Sequence, residues 1–349
     1  MTPVGRGVQR PRRTVRRVMG AALGAALLVT LAGYVLWRYM SGAPMPQARH
    51  TVVVTVPEGA PASTVARILQ SSGVIRSAWA FLILAGVDHL DARLQPGPYR
   101  MSSAWPLRTV LSHLAQNDIL IVRVTVPEGF TVSQIEARLV ADGIGSPTAV
   151  AAAVKQAQPP GSVPSGVRDP IEGFLFPDTY LIPYGTAPKA AIAMMQHDFL
   201  VRTRALRHEL PPGESVWQWV TLASIVQAED RDPVDAPLIA AVFANRLRVG
   251  MPLQSDATVR YALFNRVKGG LSLQDLTVRS AYNTYVHTGL PPGPIDCPGL
   301  MALNAALHPA HVGYLYFVST PSGGDLFATT YQQHQLNMAK VAAMTKSGS

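Results

Sequence analysis

Glu229 is the residue whose neighbours best suit it to acid chemistry. It closes the stretch Val216–Asp230 (VWQWVTLASIVQAED), where Val216, Trp219, Val220, Leu222, Ala223, Ile225 and Val226 form a wide apolar stripe at helical spacing. Glu229 follows Val226 by three residues, Ile225 by four and Leu222 by seven, so on a helix it points with the core-facing side. A carboxyl group held against apolar neighbours loses hydration of its charged form, so its pKa rises and it can carry a proton near neutral pH, as a general acid must. Asp230, about 100° further round the helix, is expected to be more solvated. The plainer alternative is a helix-terminal glutamate that snorkels to water or meets an arginine such as Arg246.

Three further groups carry polar residues at suggestive spacing. Asn245–Asp256 (NRLRVGMPLQSD) reads as a helix ending at Gly250 and then a Gln254-Ser255-Asp256 loop. That loop suits a cleft edge, although Ser255 or Asp256 could equally cap the next helix. Tyr282-Asn283-Thr284-Tyr285 followed by Thr288–Ile295 (TGLPPGPI) builds a rigid irregular loop presenting aromatics and amides, which suits a sugar cleft more than a hydride or phosphate site. Glu172–Tyr180 (EGFLFPDTY) sets two acids around an aromatic run.

Other chemistries lack their residues. There is no GxxxxGK[ST] loop, no GxGxxG after a strand, no GxSxG elbow and no HExxH pair. His308 and His311 flank Pro309 without a carboxylate at metal-site spacing, so no metal site is expected. The single cysteine, Cys297, reads as a packed turn residue rather than a nucleophile.

These residues need a scaffold, and 349 residues with 48% apolar side chains supply one, in two or three structural units. The 28 glycines and 29 prolines imply many turns, without reaching low-complexity or collagen composition. The formal charge is +9, but Arg6, Arg10, Arg12, Arg13, Arg16 and Arg17 all precede the first acid. Most of the basic excess is therefore a short tail, which argues against a nucleic-acid partner.

Val18–Trp37 (VMGAALGAALLVTLAGYVLW) contains no charge and is long enough to cross ~30 Å of hydrocarbon as a helix. Tyr34 and Trp37 stand where an interfacial aromatic belt would lie, and the preceding arginines put residues 1–17 in the cytoplasm by the positive-inside rule. A cleaved signal peptide would have a shorter apolar core and an A-x-A-like site, which SGAPMPQA does not offer.

Beyond a linker at residues 38–49, the chain repeats itself: Thr55-Val-Pro-Glu-Gly59 recurs as Thr125-Val-Pro-Glu-Gly129. Ser63, Val65, Leu69 and Gly73 then match Ser133, Ile135, Leu139 and Gly143. Each copy reads strand, turn, helix, the first strand being His50–Val56. Trp79–Ala85 reads helical and Gly97–Met101 reads as a return strand. The Pro/Gly/Ser-rich bridge Gln156–Arg168 is the expected domain boundary. After it, helices are expected at Ala187–Leu206, Val216–Asp230 and Pro237–Arg248, a strand at Tyr314–Val318 and a closing helix near Tyr331–Met344.

Taken together, LASIVQAED, NRLRVGMPLQSDATVRY, AYNTYVHTGLPPGPI, HPAHVGYLYFV and EGFLFPDTY resemble the YceG-like family of endolytic murein transglycosylases, in order and over nearly the whole chain. The resemblance implies an α+β protein of the inner membrane with one N-terminal transmembrane helix (18–37). A periplasmic LysM-like subdomain holding the repeat (50–155) and a C-terminal mixed α+β catalytic domain (156–349) would come after it. It implies cleavage of the β-1,4 bond between N-acetylmuramic acid and N-acetylglucosamine inside nascent glycan strands, with no cofactor. The family's acid, in the pattern A-S-I-x-x-x-E, falls at Glu229.

Two positions depart from the family. Gln227 stands where many members carry a second glutamate, and His334-Gln335 stands where a His-Asn pair is usual, so no catalytic role is assigned to His334. Gln254, Ser255, Asp256, Asn283 and Tyr285 are the expected sugar contacts. The expected partners are peptidoglycan strands, the membrane and penicillin-binding synthases. An inactive peptidoglycan-binding scaffold and a hydrolytic muramidase remain as alternatives. A muramidase would need Asp256 or Glu172 as a second carboxylate.

Overall fold

The computed structural model describes residues 12–47, 51–90, 94–229, 234–267 and 269–347. Asp230 and His50 lie outside these, so the expectations placed on them are not addressed. The fold is mixed α+β, with one N-terminal apolar helix long enough to cross a membrane. The described chain forms two compact units, residues 1–121 and 122–349.

In the first unit, α1 (Arg12–Ser41) carries the apolar span Val18–Ser41 and is exposed along it. β1 (Thr51–Val56) leads through the Pro57–Gly59 turn into α2 (Ala62–Ser71), then α3 (Ala78–Val87), β2 (Gly97–Ser102) and α4 (Leu107–Ala115). β1 and β2 pair antiparallel from Thr51 opposite Ser102 to Val56 opposite Gly97. Val54 and Val56 face inward against Val65, Leu69, Phe81, Tyr99 and Leu111, which is the period-2 and period-3.6 packing that the residue pattern demands.

The second unit starts from the second repeat copy. β3 (Ile121–Thr125) leads through Pro127–Gly129 to α5 (Val132–Ala141), whose Thr131 and Gln134 form a reciprocal capping box. Next come α6 (Pro147–Gln156), β4 (Thr179–Pro183), α7 (Pro188–Arg202) and the short α8 (Arg204–His208), with β3 and β4 paired. They are succeeded by α9 (Val216–Glu229), α10 (Ala236–Arg248), α11 (Asp256–Ala262) and α12 (Leu300–Leu307). The hairpin β5 (Tyr316–Ser319)–β6 (Asp325–Ala328) and α13 (Tyr331–Ser347) close the chain.

Both copies of the repeat are strand-turn-helix, but they belong to different units. The units divide at Ile121/Val122, well before the Gln156–Arg168 bridge at which the sequence places a boundary. The reason is the core: Val124, Ile135, Leu139 and Val150 are buried in one cluster with Phe174, Phe199 and Trp217, so the second copy packs with the helices C-terminal to it. The expected helix Ala187–Leu206 is interrupted at Thr203, whose hydroxyl turns back onto the Phe199 carbonyl at 2.6 Å.

α9 is the central element of the second unit. Trp217 and every residue from Trp219 to Val226 are buried, so the expected stripe is a helix enclosed on nearly all sides. Trp219 Nε1 donates to the Leu303 carbonyl of α12 at 2.8 Å, and Ser224 Oγ accepts the Ile295 N–H at 3.0 Å. Gly173 fixes the approach of the EGFLFPDTY segment to α9: its φ is +85°, and a Cβ there would lie 2.7 Å from Pro294 and 2.8 Å from Val220. Gly173→Ala should therefore cost about 3 kcal/mol through combined backbone strain and overpacking, read as a lower denaturation midpoint. An unchanged midpoint would show that this packing yields freely.

Candidate functional site

The last turn of α9 opens onto a cavity of about 340 Å³ lined by Glu229, Arg246, Gln254, Asp256, Tyr285 and His334, together with Phe243, Leu253 and the β5 residues Phe317–Ser319. Glu229 is half-buried, yet its carboxyl group is largely desolvated, and burial raises its pKa above the ordinary value. Opposing this, Ser255 Oγ donates to Glu229 Oε1 at 2.6 Å, and the Ala257 N–H at the start of α11 also bonds the carboxyl. The nearby Asp256 and Asp325 charges raise it further.

Ser255 is buried and held by a hydroxyl network. Its N–H donates to Thr284 Oγ1 at 3.0 Å, its carbonyl accepts from Thr258 Oγ1 at 2.7 Å, and the two threonine hydroxyls are 2.8 Å apart. The expected capping role of Ser255 is thus replaced: no side-chain cap bond is made, and the hydroxyl goes to Glu229 instead. Gln254 precedes it with φ at +50° and its N–H on the Thr284 carbonyl, which leaves its side chain exposed at the cavity rim. Asp256 is exposed at the same rim and accepts a 2.7 Å bond from the Tyr285 hydroxyl.

Arg246 makes no ion pair with Glu229. Its Nε donates to the Leu315 carbonyl at 2.7 Å and its Nη1 to the Leu253 carbonyl at 2.6 Å. The guanidinium therefore ties β5 and the 252–253 loop to α10, forming the cavity wall. Its neighbour Asn245 fastens the Val312 and Tyr314 carbonyls at 2.8 Å each.

Four of the five expected sugar contacts gather here, and Asn283 does not. It is fully buried: its amide donates to the Leu276 and Val278 carbonyls, and its Oδ1 accepts the Tyr285 N–H. Every polar group is spent on shaping the loop that presents Tyr285, so Asn283 is a scaffold residue rather than a sugar contact. The TGLPPGPI loop likewise turns elsewhere: Leu290, Pro291 and Pro292 wall a separate cavity beside Trp217.

Glu172 does not reach the Glu229 cavity either. It is buried, accepts the Val132 N–H at 2.9 Å and the Tyr261 hydroxyl at 3.2 Å, and lies beside a different cavity of about 530 Å³ with Arg168, Asp169 and Phe264. Burial pushes its pKa up to about 8. Gln227 faces away as well, its Oε1 accepting the Gly299 N–H at 2.9 Å.

His334 does line the cavity. It stacks on Tyr316 with centroids 5.2 Å apart, and burial next to the Arg246 charge lowers its pKa, so it is neutral at neutral pH. Phe317 and Ser319 carry no local signal of a site in the sequence, because β5 reaches the cavity wall by packing with β6, α13 and α10, the last of them distant in the chain. No group of three or more metal-ligating side chains occurs among the described residues.

A mixed α+β unit with one desolvated carboxyl group in a polar cleft is the class this site defines. Comparison with known proteins then gives the family. The YceG-like family matches residues 54–340. An endolytic murein transglycosylase of Bacillus subtilis is 32% identical over 311 residues, covering 84% of this chain and 85% of that protein. One from Streptococcus pneumoniae (strain R6) is 28% identical over 90% of this chain, which spans 63% of the pneumococcal length. A crystal structure of a YceG-like protein from Listeria monocytogenes superposes with a TM-score of 0.55 at 32% identity, over 83% of this chain and 99% of that one. The chain belongs to the YceG-like family.

Two titrations test this electrostatic description. Ser255→Ala removes a donor that favours the charged carboxylate, so the Glu229 pKa should move further up, read by NMR of the side-chain carboxyl; a downward move would contradict the assigned balance. For Glu172, a folded-state pKa near 8 against an ordinary value of 4.5 means the folded state binds the extra proton between those values. Stability should therefore fall as pH rises from 4.5 through 8. Glu172→Gln, which mimics the protonated acid, should match the parent near pH 4 and exceed it by several kcal/mol at pH 9 in denaturant melts.

Proposed function

We propose that the protein is a peptidoglycan lytic transglycosylase, a lyase that cuts the β-1,4 bond between N-acetylmuramic acid and N-acetylglucosamine within glycan strands. The observation carrying this reading is the Glu229 carboxyl group, desolvated, bonded to the Ser255 hydroxyl and open to a cleft of polar side chains. The endolytic murein transglycosylases among its relatives support the same reading.

Glu229 enters the cycle protonated. It gives its proton to the glycosidic oxygen, the C1–O bond breaks, and the leaving N-acetylglucosamine carries the proton away as a hydroxyl. The muramic acid C1 takes on oxocarbenium character, which the nearby Asp256 charge and the Glu229 carboxylate now favour. The C6 hydroxyl of the same sugar closes on C1, and its proton passes to Glu229. The acid is regenerated, no water is consumed, and the product ends in 1,6-anhydromuramic acid. Gln254, Asp256 and Tyr285 grip the sugar hydroxyl and N-acetyl groups at the rim, and Ser255 orients the acid.

A hydrolase is the second reading, and Asp256 is the observation that favours it. It faces the same cavity and could activate water or trap C1, whereas Glu172 is enclosed elsewhere. An inactive scaffold is a weaker fit, because it gives no reason to bury a carboxyl group beside an open cleft. We further infer that α1 anchors the chain in the inner membrane with residues 1–17 cytoplasmic. The first unit, up to Ile121, would then serve as a periplasmic LysM-like subdomain and the second, from Val122, as the catalytic domain. Such an enzyme would act on new strands beside penicillin-binding synthases and terminate their elongation.

Glu229→Gln should reduce strand cleavage about 10³-fold or more while leaving the melting temperature nearly unchanged. Mass spectrometry of muropeptides released from uncrosslinked glycan decides the chemistry: anhydro ends formed only by the parent establish the lyase. Reducing ends would make it a hydrolase, and equal cleavage by the variant would remove Glu229 from the reaction.

A further inference from the structure

Helix α3 (AWAFLILAGV) is apolar around its whole circumference. A helix of that kind belongs either in a core or in lipid. One face meets the first expectation: Ala80, Phe81, Leu84 and Ala85 are buried in the core of the first unit. The other does not. Trp79 is 60% exposed, Leu82 38%, Ile83 36% and Val87 68%, and their spacing makes one continuous stripe along the helix. No polar side chain interrupts that stripe. A contiguous exposed apolar face of this sort marks a surface that something covers.

What covers it is indicated by where α3 starts. Trp37 and Met40, in the last turns of α1, pack on the same core as the inner face of α3, and the two helices touch. Arg76, just before α3, donates to the Tyr39 carbonyl at 3.1 Å and the Pro44 carbonyl at 3.3 Å, and its guanidinium lies 4.4 Å from the Tyr39 ring centroid. Met45 N–H bonds the Ser103 carbonyl at 3.0 Å, closing the exit segment onto the unit. The first unit is thus clamped to the end of the span Val18–Ser41 by Arg76, Met45 and the contact of α3 with α1. A ten-residue helix is about 15 Å long, so its whole stripe stays within about that distance of where α1 leaves the bilayer.

We propose that the exposed face of α3 docks on the membrane itself, laying Trp79, Leu82, Ile83 and Val87 into the lipid interface beside α1. Tryptophan at one end of the stripe and the Arg76 cation beside it suit the headgroup boundary, where an aromatic ring and a positive charge are both stabilised. Aliphatic side chains further along bury apolar area at a depth of ~5–10 Å. The inference rests on the reading of α1 as a membrane span, and it holds for either orientation of that span. α3 then acts as a second, in-plane contact that stops the unit from swinging about a single helix.

The test uses the full chain in nanodiscs of phosphatidylglycerol and phosphatidylcholine. Single cysteines are introduced at Leu82 or Val87, the native Cys297 being buried. Each is labelled with an environment-sensitive fluorophore and challenged with lipid carrying a nitroxide at carbon 5 of the acyl chain. Leu28→Cys, in the middle of α1, and Ser112→Cys, on the exposed side of α4, serve as references. The expected result is a loss of about half or more of the emission at 82 and 87, matching an interfacial depth of ~5–10 Å, with none at 112. Quenching at 28 but not at 82 and 87 would overturn the docking of α3 and leave the anchor standing. No quenching at any position would overturn the anchor reading and this inference with it.

Discussion

A carboxyl group is desolvated only where the elements around it keep water away, and the helix carrying Glu229 is accordingly buried along most of its length. That constraint organises the second unit. α9 has little solvent face to orient it, and polar pins help set its position: the Trp219 indole on the Leu303 carbonyl and the Ile295 N–H on the Ser224 hydroxyl. Glu229 sits where the helix finally emerges. Its counterweight is the Ser255 hydroxyl, fixed in turn by Thr258 and Thr284. Desolvation disfavours the charged form of Glu229, while the Ser255 hydroxyl and the Ala257 N–H stabilise it, so the two effects oppose each other at one carboxyl group.

Glu172 shows why a raised pKa does not by itself define such a site. It too is deeply desolvated and pushed up to about 8, but its oxygens are spent on the Val132 N–H and the Tyr261 hydroxyl. Asp296 and Cys297 beside it are pushed up by burial and by the Glu172 charge. In this cluster Glu172 is the acid that satisfies buried donors of the core. What separates the two acids is how their oxygens are used: both Glu172 oxygens accept bonds from the protein, whereas Glu229 takes the Ser255 hydroxyl and the Ala257 N–H at the mouth of a polar cavity.

Much of this is legible in the residues. Helical spacing puts Glu229 on the core-facing side because its position derives directly from the 3.6-residue period, and the Pro-Glu-Gly repeat marks two strand-turn-helix pieces whose turn glycines do adopt positive φ. The helices α10 and α13 and the strand β5 fall close to their expected spans for the same reason of periodicity. The unit boundary is not legible, because a Pro/Gly-rich bridge signals a surface loop and carries no information on which core the preceding helix joins. Asn283 misleads because an amide in an aromatic loop has the same composition whether it faces ligand or scaffold. His334 and the β5 wall depend on the return of the closing hairpin and helix, a long-range arrangement that no local window contains.

The position of Gln227 bears on how many acids the site can hold. Its amide oxygen accepts the Gly299 N–H, and its stem lies beside the Gly129 turn, next to Asp296. A glutamate at position 227 could accept the same N–H, but it would bring a charge close to the buried Asp296, and like charges raise one another's pKa. The neutral amide makes the bond without that repulsion. Gln227 is thus a structural acceptor oriented away from the cleft, and among the described residues Glu229 and the exposed Asp256 are the carboxyl groups that line it. A chemistry in which one carboxyl group first donates and then recovers its proton needs no more than this.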